Sequence, residues 1–152
     1  MIRQLAPVVR TINVQVPPER AFEVFTQKLG EWWPLHLHGV FDDAAQTAIV
    51  EPRVGGRVYE VSRSGDESTW AEVTAYDPPR RLGLSWHPNP AATVATDVEI
   101  TFEPDGDGTR VRLTHTGWER LGDIAAEARE SYNEGWVPTL AAFADFTTDG
   151  SA

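Results

Sequence analysis

The sequence predicts an α+β domain in which one antiparallel sheet is crossed by a long helix. Three observations carry this. A stretch of period two near the start is followed at once by a stretch of helical period; residues 47–117 alternate strand signals with turn residues only; and one apolar stripe at helical spacing runs from Ile124 to Phe143. Strands that follow one another without helices between them form an antiparallel meander, and a single helix buries its stripe only by lying across that sheet.

In Val8 to Val16, Val8, Ile12, Val14 and Val16 share one face while Thr11, Asn13 and Gln15 share the other, and only Arg10 breaks the apolar side. PPER follows. Pro17 and Pro18 suit a helix start, Glu19 complements the N-terminal dipole, and Ala21, Phe22, Phe25 and Leu29 repeat at helical spacing up to Gly30, read as a stop. Six strands are then expected: TAIVE (47–51), GRVYEVS (56–62), STWAEVTAY (68–76), RRLGLSW (80–86), ATDVEITFE (95–103) and TRVRLTHTG (109–117). PRVGG, RSGDE, DPP, HPNPAA and PDGDG separate them with turn chemistry. After Gly122, Asp123 suits an N-cap, and Ile124, Ala128, Tyr132, Trp136, Leu140 and Phe143 mark a helix ending near Phe146. Pro138 lies inside it and predicts a kink or break between Glu134 and Pro138.

The length of 152 residues suits one domain with a real core. A net charge of −10 and a pI near 4.7 argue against phosphate-backbone recognition, so no nucleic-acid partner is expected. Without cysteine there is no disulfide, thiolate site or cysteine nucleophile. No signal peptide is read at the N-terminus and no apolar run reaches the roughly 20 residues of a membrane span, so the expected setting is cytoplasmic.

Few motifs carry chemistry. His36 and His38 in HLH could converge on a metal, but no acidic residue or cysteine lies between Glu31 and Asp42, so no metal site is expected. DGDG at 105–108 reads as a hairpin turn rather than a calcium loop. Nucleophile, nucleotide and dinucleotide motifs are absent, and no cofactor is expected. His115 shares the apolar strand face with Val111 and Leu113, which leaves it open as a core residue, a ligand-binding group or a general base. The positive signal is aromatic: six tryptophans, large apolar rings with one polar handle, are a usual wall of small-molecule cavities.

The ordered segments VPPERAFEVFT, EWWP, EPRVGGRVYEV, WAEVTAYDPPRRLGLSW, VEITFEPDGDGTRVRLTHTGWERLG and YNEGWVPTLAAF resemble the bacterial single-domain proteins of the Aha1-like branch (activator of Hsp90 ATPase homologues) of the START/Bet v 1-like (SRPBCC) superfamily, over residues of about 8–146. The resemblance implies one helix-grip domain of order β-α-α-β6-α: a curved seven-stranded sheet around the C-terminal helix, with a second short helix near Gly30 to Trp33. Trp32 and Trp33 cannot both point inward from a regular helix, so one is expected to anchor it and the other to face the cavity or solvent, with His36 and His38 at the rim. Members of the superfamily hold hydrophobic or amphipathic small molecules between sheet and helix, and some use the same cavity for cyclase, aromatase or hydrolase chemistry. Chaperone contact is not carried over: in the eukaryotic activators a separate N-terminal domain does much of that binding, and the first strand here begins at about Val8.

The expected function is therefore binding of a hydrophobic small molecule, more a binding protein than an enzyme, in a cavity lined by Trp33, Phe41, Tyr59, Trp70, Trp86, His115, Trp118, Tyr132 and Trp136. The alternatives are a cyclase or hydrolase with His115 as acid or base and Glu60 or Tyr132 nearby, or an interaction module for a chaperone or regulator; a homodimer is left open.

Overall fold

The structure, a computed structural model, describes residues 5–34, 41, 44–87 and 94–149. Its elements run β1 (Val8–Val14), α1 (Pro18–Gln27), α2 (Leu29–Trp32), β2 (Ala45–Val50), β3 (Arg57–Ser62), β4 (Glu67–Asp77), β5 (Arg81–Trp86), β6 (Thr96–Asp105), β7 (Gly108–Thr116), a 3-10 turn (Trp118–Ile124) and α3 (Ala125–Asp149). All six expected meander strands form, each shifted by no more than two residues at either end. They pair in sequence, and β1 joins beside β7, giving one antiparallel sheet of order β1-β7-β6-β5-β4-β3-β2. Because β1 and β2 are opposite edges, the α1–α2 connection has to cross the whole width of the sheet.

Three register shifts curve the sheet, between Ala45 and Thr47, between Val58 and Tyr59, and between Val73 and Ala75; an extra residue on one strand bends it and sharpens its twist. Val58 pairs with Ala71 and Tyr59 with Thr69, so Trp70 is the extra residue of β4. It is only 1% exposed although its neighbour Ala71 is buried as well. Strand alternation would turn one of the two outward, and the bulge brings both inside.

The concave face is built from alternate residues, among them Leu82, Leu84 and Trp86 of β5, Val98, Ile100 and Phe102 of β6, and Val111, Leu113 and His115 of β7. Against it α3 lays Trp136, Leu140 and Phe143, and α1 lays Phe22 and Phe25. Arg10, the break in the apolar face of β1, reaches α3, where its Nη2 donates to the Asn133 carbonyl at 2.7 Å and to Asn133 Oδ1 at 2.8 Å. Ile124 belongs to the 3-10 turn and is exposed, so the buried stripe starts at Ala125 instead. The positive φ of Gly122 (64°) puts a kink inside that turn.

α3 runs unbroken through Pro138, contrary to the expected interruption. Pro138 and its neighbour Val137 sit on the exposed side, so the Glu134 carbonyl deprived of an N–H partner faces water. On the inner side the Thr139 hydroxyl donates to the Gly135 carbonyl at 2.9 Å. Among the described residues no helix is long and apolar enough to cross a membrane.

Gly30 is not a helix stop. It lies inside α2, where an added Cβ would run into Thr47 Oγ1 and stand 2.9 Å from both the nitrogen and the oxygen of Ala48. Its missing side chain lets the helix rest on β2. Gly30→Ala should therefore lower stability by about 2 kcal/mol, the scale of overpacking in a close-packed interior; an unchanged urea midpoint would show that α2 can lift off the sheet freely.

Candidate functional site

α2 ends at Trp32, and the next residue is extended (φ −64°, ψ 131°), which turns both adjacent rings inward. Trp32 anchors the segment: its Nε1 donates to the Val24 carbonyl at 2.9 Å, and its ring packs on Phe25 and Phe143. Trp33 turns to the space between sheet and α3. There it meets Trp70 at 5.0 Å between ring centres, Trp136 at 6.0 Å and Trp86 at 6.1 Å.

These four indoles wall a cavity of about 230 Å³. The helix side is completed by Ser131, Tyr132, Gly135 and Thr139, which with Trp136 form one face of α3. Beneath the same four rings lies a second, wholly apolar space of about 20 Å³, reaching down to Phe25, Val98 and Ile100. The tryptophans thus form a partition between an outer chamber and the packed interior.

Hydrogen bonds hold the rings. Trp70 Nε1 donates to Glu60 Oε1 at 3.1 Å, and the other oxygen of that fully buried carboxyl accepts from the Phe41 backbone N–H at 2.9 Å. Trp86 Nε1 donates to the Tyr132 hydroxyl at 3.1 Å. Trp136 Nε1 donates to His115 Nδ1 at 3.1 Å, and His115 Nε2 lies 2.7 Å from Thr96 Oγ1. An indole N–H can only donate, so Nδ1 is the bare nitrogen and the ring proton sits on Nε2, donated to Thr96. Trp118 stacks on His115 at 4.1 Å and donates to its carbonyl at 3.0 Å. Trp33 Nε1 alone is buried without a hydrogen-bond partner among the described residues.

Burial lowers the His115 pKa to about 3, with the Asp97 carboxylate pulling weakly the other way, so the imidazole is neutral. Burial also pushes the Tyr132 phenol up, partly offset by the hydrogen bond from Trp86, and it stays protonated. Among the described residues, none that lines the cavity is charged at neutral pH. Among the described residues no group of His, Asp or Glu is arranged to hold a metal.

Of the residues expected in the lining, Trp33, Trp70, Trp86, Tyr132 and Trp136 meet around the cavity. His115 and Trp118 do not reach it; both are fully buried behind Trp136 and Tyr132. Tyr59 lies on the outer face of β3, with the Arg57 guanidinium 4.1 Å over its ring, because Val58, Glu60 and Ser62 take the inner side. Phe41 contributes its backbone N–H to Glu60 and is not part of the wall. His36 and His38 lie outside the described residues. Ser131, Gly135 and Thr139 were not expected; their four-residue spacing beside the aromatic stripe is the signal that marks them.

A curved antiparallel sheet closed by a C-terminal helix around an aromatic cavity defines a helix-grip, Bet v 1-like protein. The chain belongs to the family of activator of Hsp90 ATPase homolog 1-like proteins, whose model matches residues 15–147. Among solved structures it is similar to protein MLL2253 from Mesorhizobium loti, with a TM-score of 0.70 and 23% identity over 95% of this chain and 98% of that one. It is also similar to the anthrahydroquino-γ-pyrone synthase Txn09 complexed with SUM, with a TM-score of 0.63 and 34% identity over 93% and 97%. The Aha1 dimer from Colwellia psychrerythraea gives a TM-score of 0.65 and 19% identity over 93% and 96%. No curated protein matches.

Two outcomes follow from the hydrogen bonds. The unfolded chain protonates His115 near pH 6.5 and the folded one only near pH 3, so its contribution to stability is complete above pH 6.5 and lost progressively as pH falls towards 3. Urea midpoints between about pH 7 and about pH 5 should show a loss of up to about 1.4 kcal/mol per pH unit that His115→Gln lacks; equal slopes would mean that the imidazole is not sealed. Trp136→Phe strands the buried His115 Nδ1 and should cost about 1–2 kcal/mol more than Trp33→Phe, which removes a donor that had no partner. Thermal or urea unfolding of the two variants gives the comparison.

Proposed function

We propose that this protein binds a hydrophobic or amphipathic small molecule in the cavity between the sheet and α3. The observation that carries the reading is the open chamber itself. Protein interiors close on themselves at crystal-like density, and this one stays open where four indoles and a phenol meet. Apolar walls supply affinity by removing ligand surface from water, while Ser131, Tyr132 and Thr139 supply the few polar groups that fix a pose. Gly135 adds support: a glycine inside a helix costs about 1 kcal/mol relative to alanine, and here it leaves the cavity wall bare.

Intrinsic tryptophan fluorescence titrated with a panel of hydrophobic molecules tests this, since four of the six indoles wall the cavity. Gly135→Leu, filling the chamber from the helix side, should abolish the response without lowering the thermal midpoint. A panel without any response would overturn the reading, and so would a response that Gly135→Leu leaves intact.

A second reading, a cyclase-type reaction in the same cavity, is favoured by the 34% identity to a γ-pyrone synthase over nearly the full length of both chains. Its proton donor would be Tyr132. That hydroxyl accepts from Trp86 Nε1 and keeps its own proton for a ligand oxygen, whereas His115 is sealed and its Nδ1 is occupied by Trp136.

A further inference from the structure

We infer that Trp33 sets the depth of the cavity and so selects ligands by the length of their apolar part: its ring is the untethered section of the partition between the outer chamber and the space beneath. This role rests on the cavity-binding reading above and names the residue that decides which hydrophobic molecules the cavity admits.

Trp33, Trp70, Trp86 and Trp136 line the outer chamber of about 230 Å³ and also the inner space of about 20 Å³. Beyond the shared rings the two differ in chemistry. The outer chamber has the hydroxyls of Ser131, Tyr132 and Thr139, whereas the inner space is bounded by Leu29, Val58, Leu84, Val98 and Ile100. An apolar void of that kind stays dry, and the side chains around it forgo dispersion contacts on the empty side. A hydrocarbon end reaching it would restore those contacts while a polar end stayed among the hydroxyls. The two spaces in series therefore fit an amphipathic molecule bound tail inward.

Trp33 and Trp86 each contact all three of the other rings, with centres 5.0–6.2 Å apart, so the partition closes through these two. Trp86 is tied to the Tyr132 hydroxyl at 3.1 Å, as Trp70 is to Glu60 and Trp136 to His115. Trp33 is held by packing: its indole nitrogen is buried without a hydrogen-bond partner among the described residues. It also stands in extended backbone just past the four-residue α2, whereas the other three sit on β4, β5 and α3. Truncating any of those three would break a buried hydrogen bond in addition to losing packing. At position 33 the side chain can shrink without that loss, so the depth can change there while the frame of the cavity stays.

Equilibrium dialysis of the full chain with straight-chain alcohols from hexanol to dodecanol reads the depth. Each further methylene taken out of water should raise affinity about fourfold until the outer chamber is filled, and affinity should then level off. In Trp33→Leu the rise should continue to longer chains while hexanol, which stays within the outer chamber, changes little; retained hexanol binding also shows that the variant is folded. Trp33→Phe, a milder truncation, should shift the levelling-off length less and in the same direction, so the test survives a Trp33→Leu chain that does not fold. Val98→Ile adds one methylene to the inner space from the far side of the partition. Alone it should leave the series unchanged, and combined with Trp33→Leu it should remove about fourfold of the affinity gained by the longest alcohols. An equal levelling-off length in wild type and both Trp33 variants, or a wild-type series that Val98→Ile shortens, would overturn the role of Trp33 and leave cavity binding standing. No binding of any alcohol, with no response in the wider hydrophobic panel, would take the cavity reading down as well.

Discussion

The hydrogen bond from Trp136 Nε1 to His115 Nδ1 joins helix to sheet across the middle of the core, and the cavity depends on it. Tryptophan is large enough to bridge the gap between α3 and the concave face, but its N–H cannot be buried there without an acceptor. The neutral imidazole of His115 supplies the acceptor, and Thr96 on β6 fixes its tautomer from the other side. Once Trp136 is held, the helix cannot settle deeper onto β5, and the space beside Trp86 and Tyr132 remains open.

The same device recurs with different acceptors. Glu60 does for Trp70 what His115 does for Trp136, and Tyr132 does it for Trp86. A wall made this way is stiff, because each ring is fixed by packing and by one directional bond. Among the described residues, Trp33 is the indole that is buried without such a bond. The family sets the fold within which this happens, but it does not set what the chamber holds, since chemistry lives in the side chains that a fold presents.

Most of the fold was legible because local signals agreed: turn residues punctuated the strands, and period two gave way to period 3.6 at α1 and α3. The candidate site was legible as a group of aromatics and less so residue by residue. Trp70 belongs to the outward parity of β4 and is inside only because a bulge adds a residue there, which no alternation pattern reveals. On β3 the parity misled in the opposite sense. Glu60 is charged and Tyr59 is aromatic, yet the carboxyl goes inside, where Trp70 and the Phe41 backbone meet it. Pro138 was read as a break because sequence does not tell which side of a helix faces water, and on the wet side the lost hydrogen bond is replaced by solvent. The strand parity of β7 suffices to place His115 inside; its partner Trp136 lies on another element, beyond what spacing within one strand can show.

The pairing of β1 with β7 bears on how the molecule is assembled. Val8 lies opposite His115, so the first strand has no neighbour until roughly a hundred further residues are in place, and closing so long a loop is an entropic cost that grows with the logarithm of its length. Sheets dominated by such distant pairings form in milliseconds to seconds rather than microseconds. Until that closure, β7 is an unprotected edge with its backbone groups open to other chains. The imidazole is covered from elsewhere, by Thr96 of the neighbouring strand and by Trp118, Tyr132 and Trp136, which follow it in the chain, so the sheet edge and the dry interior are closed by different segments.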